Sequence, residues 1–135
     1  MTRSHGALDD QGLSDAARAT LSADVQRRVA DAWADGRALI LNANKEGYSE
    51  AFTIEAKQYT LLRDSILEAI DLVADERGEA LLKDIQLHVQ ESLGEHPSFP
   101  KGRMTNYTRY TKVDMEARGE LERIPKSSPQ RVRRL

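Results

Sequence analysis

The sequence predicts an α+β fold that is mainly helical, and three observations in its second half define the arrangement. Apolar residues recur at helical spacing in three successive segments beyond residue 55. The third segment, about 103–118, ends at Gly119, where a left-handed C-terminal cap is required and where Arg118 complements the negative end of the helix dipole. Leu121-Glu122-Arg123-Ile124 and Gln130 to Leu135 then alternate as two short strands around the turn-forming Pro125-Lys126-Ser127-Ser128-Pro129. Helix, helix, corner, helix, strand, turn, strand is the order of a winged helix-turn-helix, with its recognition helix at about 103–118 and its wing at about 121–134.

Taken in order, residues 1–13 are polar and aperiodic and read as a disordered tail. Leu21, Val25, Val29, Ala32 and Trp33 mark an amphipathic helix over 14–35, with Ser14 or Ser22 as N-cap and Gly36 as its stop. Arg37 to Asn42 and Tyr48 to Ile54 read as a β-hairpin, so that 14–54 is an N-terminal extension and 55–135 the winged-helix domain. Tyr59, Leu62, Ile66, Ala69, Ile70 and Val73 stripe a core helix from Ala56 to Asp75. Glu76-Arg77-Gly78-Glu79 interrupts it, and Leu82, Ile85, Val89 and Leu93 define the next helix, ending at Gly94. Glu95-His96-Pro97-Ser98-Phe99-Pro100 is a fixed corner, with Phe99 expected to plug the core. That core is expected to unite Ile66, Ile70, Ile85, Val89, Leu93, Met115 and Leu121, because no one element is stable alone.

A composition of 39% hydrophobic and 31% charged residues suits one small globular domain. The absence of cysteine excludes disulfides, thiolate metal sites and cysteine nucleophiles. No apolar run is long enough to span a bilayer, and no signal-type core follows the first residues, so a soluble cytoplasmic protein without a membrane partner is expected. The net charge of −2 conceals a segregation: residues 1–96 carry 10 Lys/Arg against 18 Asp/Glu, and residues 97–135 carry 10 against 4. A basic face on an otherwise acidic chain is what a polyanion-binding surface requires.

That charge coincides with the third helix. Met104, Thr108, Thr111 and Met115 share its packing face, whereas Asn106, Arg109, Tyr110 and Val113 lie opposite. A recognition helix delivers its N-terminal half to the major groove, where Arg pairs with guanine and Asn with adenine. Arg103, Asn106, Arg109 and Tyr110 are therefore the expected base-side residues, Lys101 and Lys112 their phosphate partners, and Lys126, Arg131, Arg133 and Arg134 the contribution of the wing. Asp114 and Glu116 are expected to hold Arg118, Arg109, Lys112 or Arg123 in place by ion pairs. His5, His88 and His96 are scattered, and there is no nucleophile elbow, phosphate loop or zinc-protease motif, so neither an enzyme nor a metal or cofactor site is expected.

Phe99-Pro100-Lys101-Gly102, Val113-Asp114-Met115-Glu116-Ala117-Arg118-Gly119 and Pro129-Gln130-Arg131-Val132-Arg133-Arg134 resemble the C-terminal signature of an uncharacterised family of small bacterial winged-helix-like proteins. Leu39-Ile40-Leu41, Phe52-Thr53-Ile54 and Tyr59 to Arg63 extend the resemblance over roughly 37–135. It implies a fold and no activity. One departure is that Asn106-Tyr107 stands where that family tends to carry bulky aromatics. The expectation is a protein that binds double-stranded DNA and dimerises through the N-terminal helix, whose stripe the domain's own core need not cover; the competing expectation is that this helix folds back onto its own domain. A winged-helix module for protein–protein contact is the alternative.

Overall fold

The computed structural model describes residues 7–45, 48 and 51–135. Serine side chains start its first two helices. Ser14 Oγ accepts the Ala17 N–H at 3.2 Å and opens α1 (Asp15–Thr20), and Ser22 Oγ accepts the Val25 N–H at 3.2 Å and opens α2 (Ala23–Ala34). The single helix expected over 14–35 is thus two: both serines cap, and Leu21 between them is extended, with ψ of 147°. Of the stretch read as a tail, residues 1–6 lie outside the described residues. Residues 9–13 instead form a turn against the fold: Asp9 Oδ1 accepts the Gln11 and Leu13 N–H groups at 2.9 and 3.1 Å, and Gly12 and Leu13 are buried.

The expected hairpin is present as β1 (Arg37–Ile40) and β2 (Phe52–Glu55), antiparallel with Arg37 opposite Glu55 and Ile40 opposite Phe52. Its second strand is shorter than Tyr48 to Ile54, since Tyr48 sits in the left-handed region at φ 56°; residues 46, 47, 49 and 50 lie outside the described residues. A capping box between Glu55 and Gln58 then starts α3 (Ala56–Val73). The remaining elements are β3 (Glu79–Leu81), α4 (Leu82–Leu93), α5 (Met104–Ala117), β4 (Leu121–Arg123) and β5 (Arg131–Arg134). β3, β5 and β4 form an antiparallel sheet in that order, with Val132 opposite both Ala80 and Arg123. β3 departs from the sequence reading, in which the helix of Leu82 follows the Glu76–Glu79 break directly. Its three residues bury only Ala80, too short a pattern to show alternation, and pairing with distant β5 makes them a strand.

The two buried clusters share a wall. The larger gathers Ile66, Ile70, Ile85, Val89, Leu93, Met115 and Leu121 as expected, together with Phe99 from the corner. β1 and the residue after it alternate across the wall, sending Ala38 and Ile40 into this cluster and Leu39 and Leu41 into the second. The second cluster also holds Leu21, Val25 and Val29 of the N-terminal stripe and Ala117 of α5. Trp33 meets the larger core instead, edge-on to Tyr59 with ring centroids 6.4 Å apart. The stripe that suggested a dimer is therefore covered by its own chain. Gly119 (φ 79°) completes the junction, because a Cβ there would collide with the Thr20 side chain.

Candidate nucleic-acid interface

α5 is anchored from below by its own sequence pattern. Met104, Thr108, Thr111 and Met115 are buried, which leaves Arg103, Asn106 and Arg109 exposed on the other side. At its start, the Lys101-Gly102 turn uses the left-handed backbone of Gly102 (φ 78°) to bring Arg103 to the N-cap. The preceding corner is held down by Gln58, whose side-chain amide donates to the Ser98 carbonyl at 2.7 Å, and by Phe99, whose ring meets Tyr107 at 5.2 Å. These contacts set where the first turn of α5 points.

The second half of α5 turns charge inward. Asp114 is fully buried and meets three donor groups: the Leu41 N–H at 2.8 Å, the Tyr59 hydroxyl at 2.7 Å, and Arg118 Nε at 3.2 Å from Oδ1 and 3.1 Å from Oδ2. Arg118, 1% exposed, also donates to the Gly12 carbonyl at 2.9 Å and the Leu39 carbonyl at 2.8 Å, and lies 4.8 Å from the centre of the Tyr59 ring. Burial opposes its charge, but the Asp114 carboxylate more than offsets this and holds the guanidinium well above its ordinary pKa. Burial likewise pushes the Asp114 carboxyl up, against the pull of Arg118, the Leu41 amide and Tyr59. Alongside, Arg63 and Glu120 make a second buried pair at 2.9 Å. The helix-dipole role expected for Arg118 thus gives way to a core ion pair that ties α5 to α3, β1 and the chain before α1.

The ten expected DNA-contacting residues divide sharply. Lys101, Arg103, Asn106 and Arg109 are exposed, and Lys126 projects from the β4–β5 turn. Tyr110 is half-buried; burial, and then Tyr107, push its hydroxyl pKa up, so that it stays protonated. Lys112 is withdrawn: 3% exposed, it bonds Glu116 at 3.2 Å and Gln130 Oε1 at 2.6 Å, and burial lowers its pKa against the pull of Glu116. Through Gln130 it fastens the returning wing strand to α5. The cations of β5 are neutralised in place, Arg131 by Asp75 at 3.5 Å, Arg133 by Glu122 at 2.6 Å and Arg134 by Asp71 at 3.1 Å, whereas Arg123 on β4 is exposed without such a pair among the described residues. Lys101, Arg103, Arg109 and Lys126 have no carboxylate partner among the described residues.

The sequence reading missed the hairpin's part in this face. Phe52, 44% exposed, packs edge-on against Tyr110 with centroids 4.9 Å apart, and Tyr110 in turn meets Tyr107 at 5.3 Å. Two hollows follow. One of about 450 Å³ is lined by Pro100, Arg103, Asn106, Tyr107, Arg109 and Tyr110. The other, about 240 Å³, lies between the hairpin and α5 and shares Arg109 and Tyr110 with the first. The Phe52–Ile54 alternation hinted at one face, but nothing local to the hairpin marked α5 as its neighbour.

His88 Nε2 lies 3.0 Å from Glu68 Oε1 and 3.3 Å from Ser92 Oγ. Both contacts fall on one ring nitrogen, so the serine and carboxylate do not flank the imidazole as a nucleophile relay needs. Among the described residues no group of three or more acidic or imidazole side chains is placed to hold a metal, and no helix is long and apolar enough to cross a membrane.

The fold and this face define an α+β protein with an exposed, cation-bearing helix end and a hairpin closed by ion pairs. The chain belongs to a family of unknown function (DUF6958), which it matches over residues 37–132. The match begins at β1, so α1 and α2 lie outside it. Neither a curated protein nor a solved structure matches the chain.

Proposed function

We propose that residues 56–134 constitute a winged helix-turn-helix that binds double-stranded DNA, with α5 as recognition helix and the β4–β5 hairpin as wing. Support for the fold is the order α3, β3, α4, α5, β4, β5 with its sheet order β3-β5-β4. The observation that carries the function is the contrast between cations. Those on β5 and in the second half of α5 are paired with carboxylates, whereas Arg123 on β4 is left to solvent, as are Arg103 and Arg109, one turn either side of Asn106. Their spacing lets the first two turns meet base edges while Lys101 and Lys126 meet phosphates.

This reading is narrower than the sequence alone suggested. Arg133 and Arg134 act as struts of the sheet, and the DNA-contacting set reduces to Lys101, Arg103, Asn106, Arg109 and Lys126, with Tyr110 at its edge. Fluorescence anisotropy on a preferred duplex site, selected from a random pool, tests the division. Arg103→Ala and Arg109→Ala are each expected to lose the equivalent of about 1–3 kcal/mol on a preferred site, while Arg133→Ala, whose charge Glu122 already meets, changes affinity little. Equal losses from Arg103→Ala and Arg133→Ala would refute it.

A second reading, a protein–protein module, draws on the exposed Phe52 ring and half-buried Val113 beside Tyr110. Salt-insensitive association of the full chain, without DNA binding, would favour it. Self-association through α1 and α2 is not proposed, because their apolar stripe is buried within the chain.

A further inference from the structure

The hollow between the β1–β2 hairpin and α5 combines three chemistries in about 240 Å³. Its apolar lining comes from Ile40, Leu41, Phe52 and Val113. Asn42 and Asn44 add amides to the lining, and Arg109 and Tyr110 add a guanidinium and a phenol. The volume is below the range of about 300–1,000 Å³ usual for drug-sized ligands, which limits an occupant to roughly one ring.

Arg109 supplies the charge. The β5 cations and those in the second half of α5 find carboxylates, but Arg109, which lines this hollow, has only the Asn106 Oδ1 at 3.4 Å among the described residues. That single bond uses Nη2 and leaves other N–H donors of the planar fork unmet. A guanidinium lining a largely apolar hollow matches a molecule with an apolar body and one carboxylate, since a fork of parallel N–H groups takes both carboxylate oxygens at once. Asn42 adds to the match. Its Oδ1 is occupied by the Asn44 N–H at 2.9 Å, so its amide NH₂ is the group left to bond an oxygen.

We propose that this hollow binds a small aromatic monocarboxylate, with the ring between Phe52 and Val113 and the carboxylate on Arg109. The Phe52–Tyr110 pair, edge-on at 89°, leaves an aromatic wall against which a further ring packs edge-to-face. The site does not depend on the DNA reading, although both use Arg109. Occupation would draw that side chain from the first hollow toward the second.

The test uses the full-length protein without DNA, in amide-resolved NMR titrations with sodium benzoate against benzamide, its uncharged counterpart, at matched ionic strength. Benzoate is expected to shift the amides of Phe52, Arg109, Tyr110 and Val113 and to bind at least about tenfold more tightly than benzamide, a difference of about 1.4 kcal/mol. Arg109→Gln should abolish that preference, and Val113→Phe, which fills the hollow, should weaken both ligands. Equal binding of benzoate and benzamide, an Arg109→Gln variant that keeps the preference, or shifts scattered away from these residues would overturn the proposal. Failure here leaves the anisotropy comparison of Arg103→Ala with Arg133→Ala unaffected, so the two readings stand or fall apart.

Discussion

Replacing Arg118 by Met is expected to cost about 3–5 kcal/mol, because it strands the fully buried Asp114 carboxylate without its counter-ion. The Gly12 and Leu39 carbonyls lose their donor at the same time. Against a total stability of about 5–15 kcal/mol for a domain, this is a large share, and the thermal midpoint should fall by roughly 10–20 °C. The variant should also carry a pH signature. With Arg118 gone, the desolvation that already raises the Asp114 pKa acts with less opposition. A folded-state pKa raised above the unfolded value means the folded protein holds the proton more tightly. The variant is then most stable below the unfolded carboxyl range and loses stability as pH rises through the folded value. Adding Asp114→Leu should recover part of the loss, limited by the two carbonyls still unmet. Denaturant unfolding at two pH values measures all of this, and a variant within about 0.5 kcal/mol of wild type would show the pair to be peripheral.

Deleting residues 1–35 should be as damaging, although the deleted stretch lies wholly outside the matched family region. The deletion strips Leu21, Val25 and Val29 from Leu39, Leu41 and Ala117, and removes Trp33 from Tyr59. Leu39 and Leu41 each forgo about 1.5–3 kcal/mol of burial, and the loss of Gly12 opens the Arg118 site to water. The expected product has no cooperative melt, as read by circular dichroism. A 36–135 fragment melting at the full-length midpoint would mean that the second cluster contributes nothing.

These two effects mark where sequence reasoning reached and where it stopped. The faces of α5, the Gly119 stop, the Phe99 plug and the shared core of α3, α4 and α5 were legible because each follows from a period or a cap within a few residues. The Asp114–Arg118 spacing was legible as an i,i+4 ion pair, but its burial was not. Burial depends on Tyr59, Leu41 and Gly12, which lie far away in the chain. Charge segregation pointed to the C-terminal third and overstated its reach, since Asp71 and Asp75, which neutralise Arg134 and Arg131, sit at the end of α3 and just beyond it. β3 and the hairpin's place beside α5 were invisible for the same reason, being fixed by pairing and packing across the fold rather than by local pattern.

The central claim, that the exposed end of α5 and the wing tip meet the DNA backbone and bases, is tested most directly by titrating the full chain against a duplex at two salt concentrations. Three phosphate contacts, from Lys101, Lys126 and one neighbouring cation, give a slope of log affinity on log salt of about −3, or a loss of roughly 50-fold between about 50 and 200 mM. A steep, linear fall of that size is the predicted result. A flat response, or no binding at the lower salt, would contradict the claim.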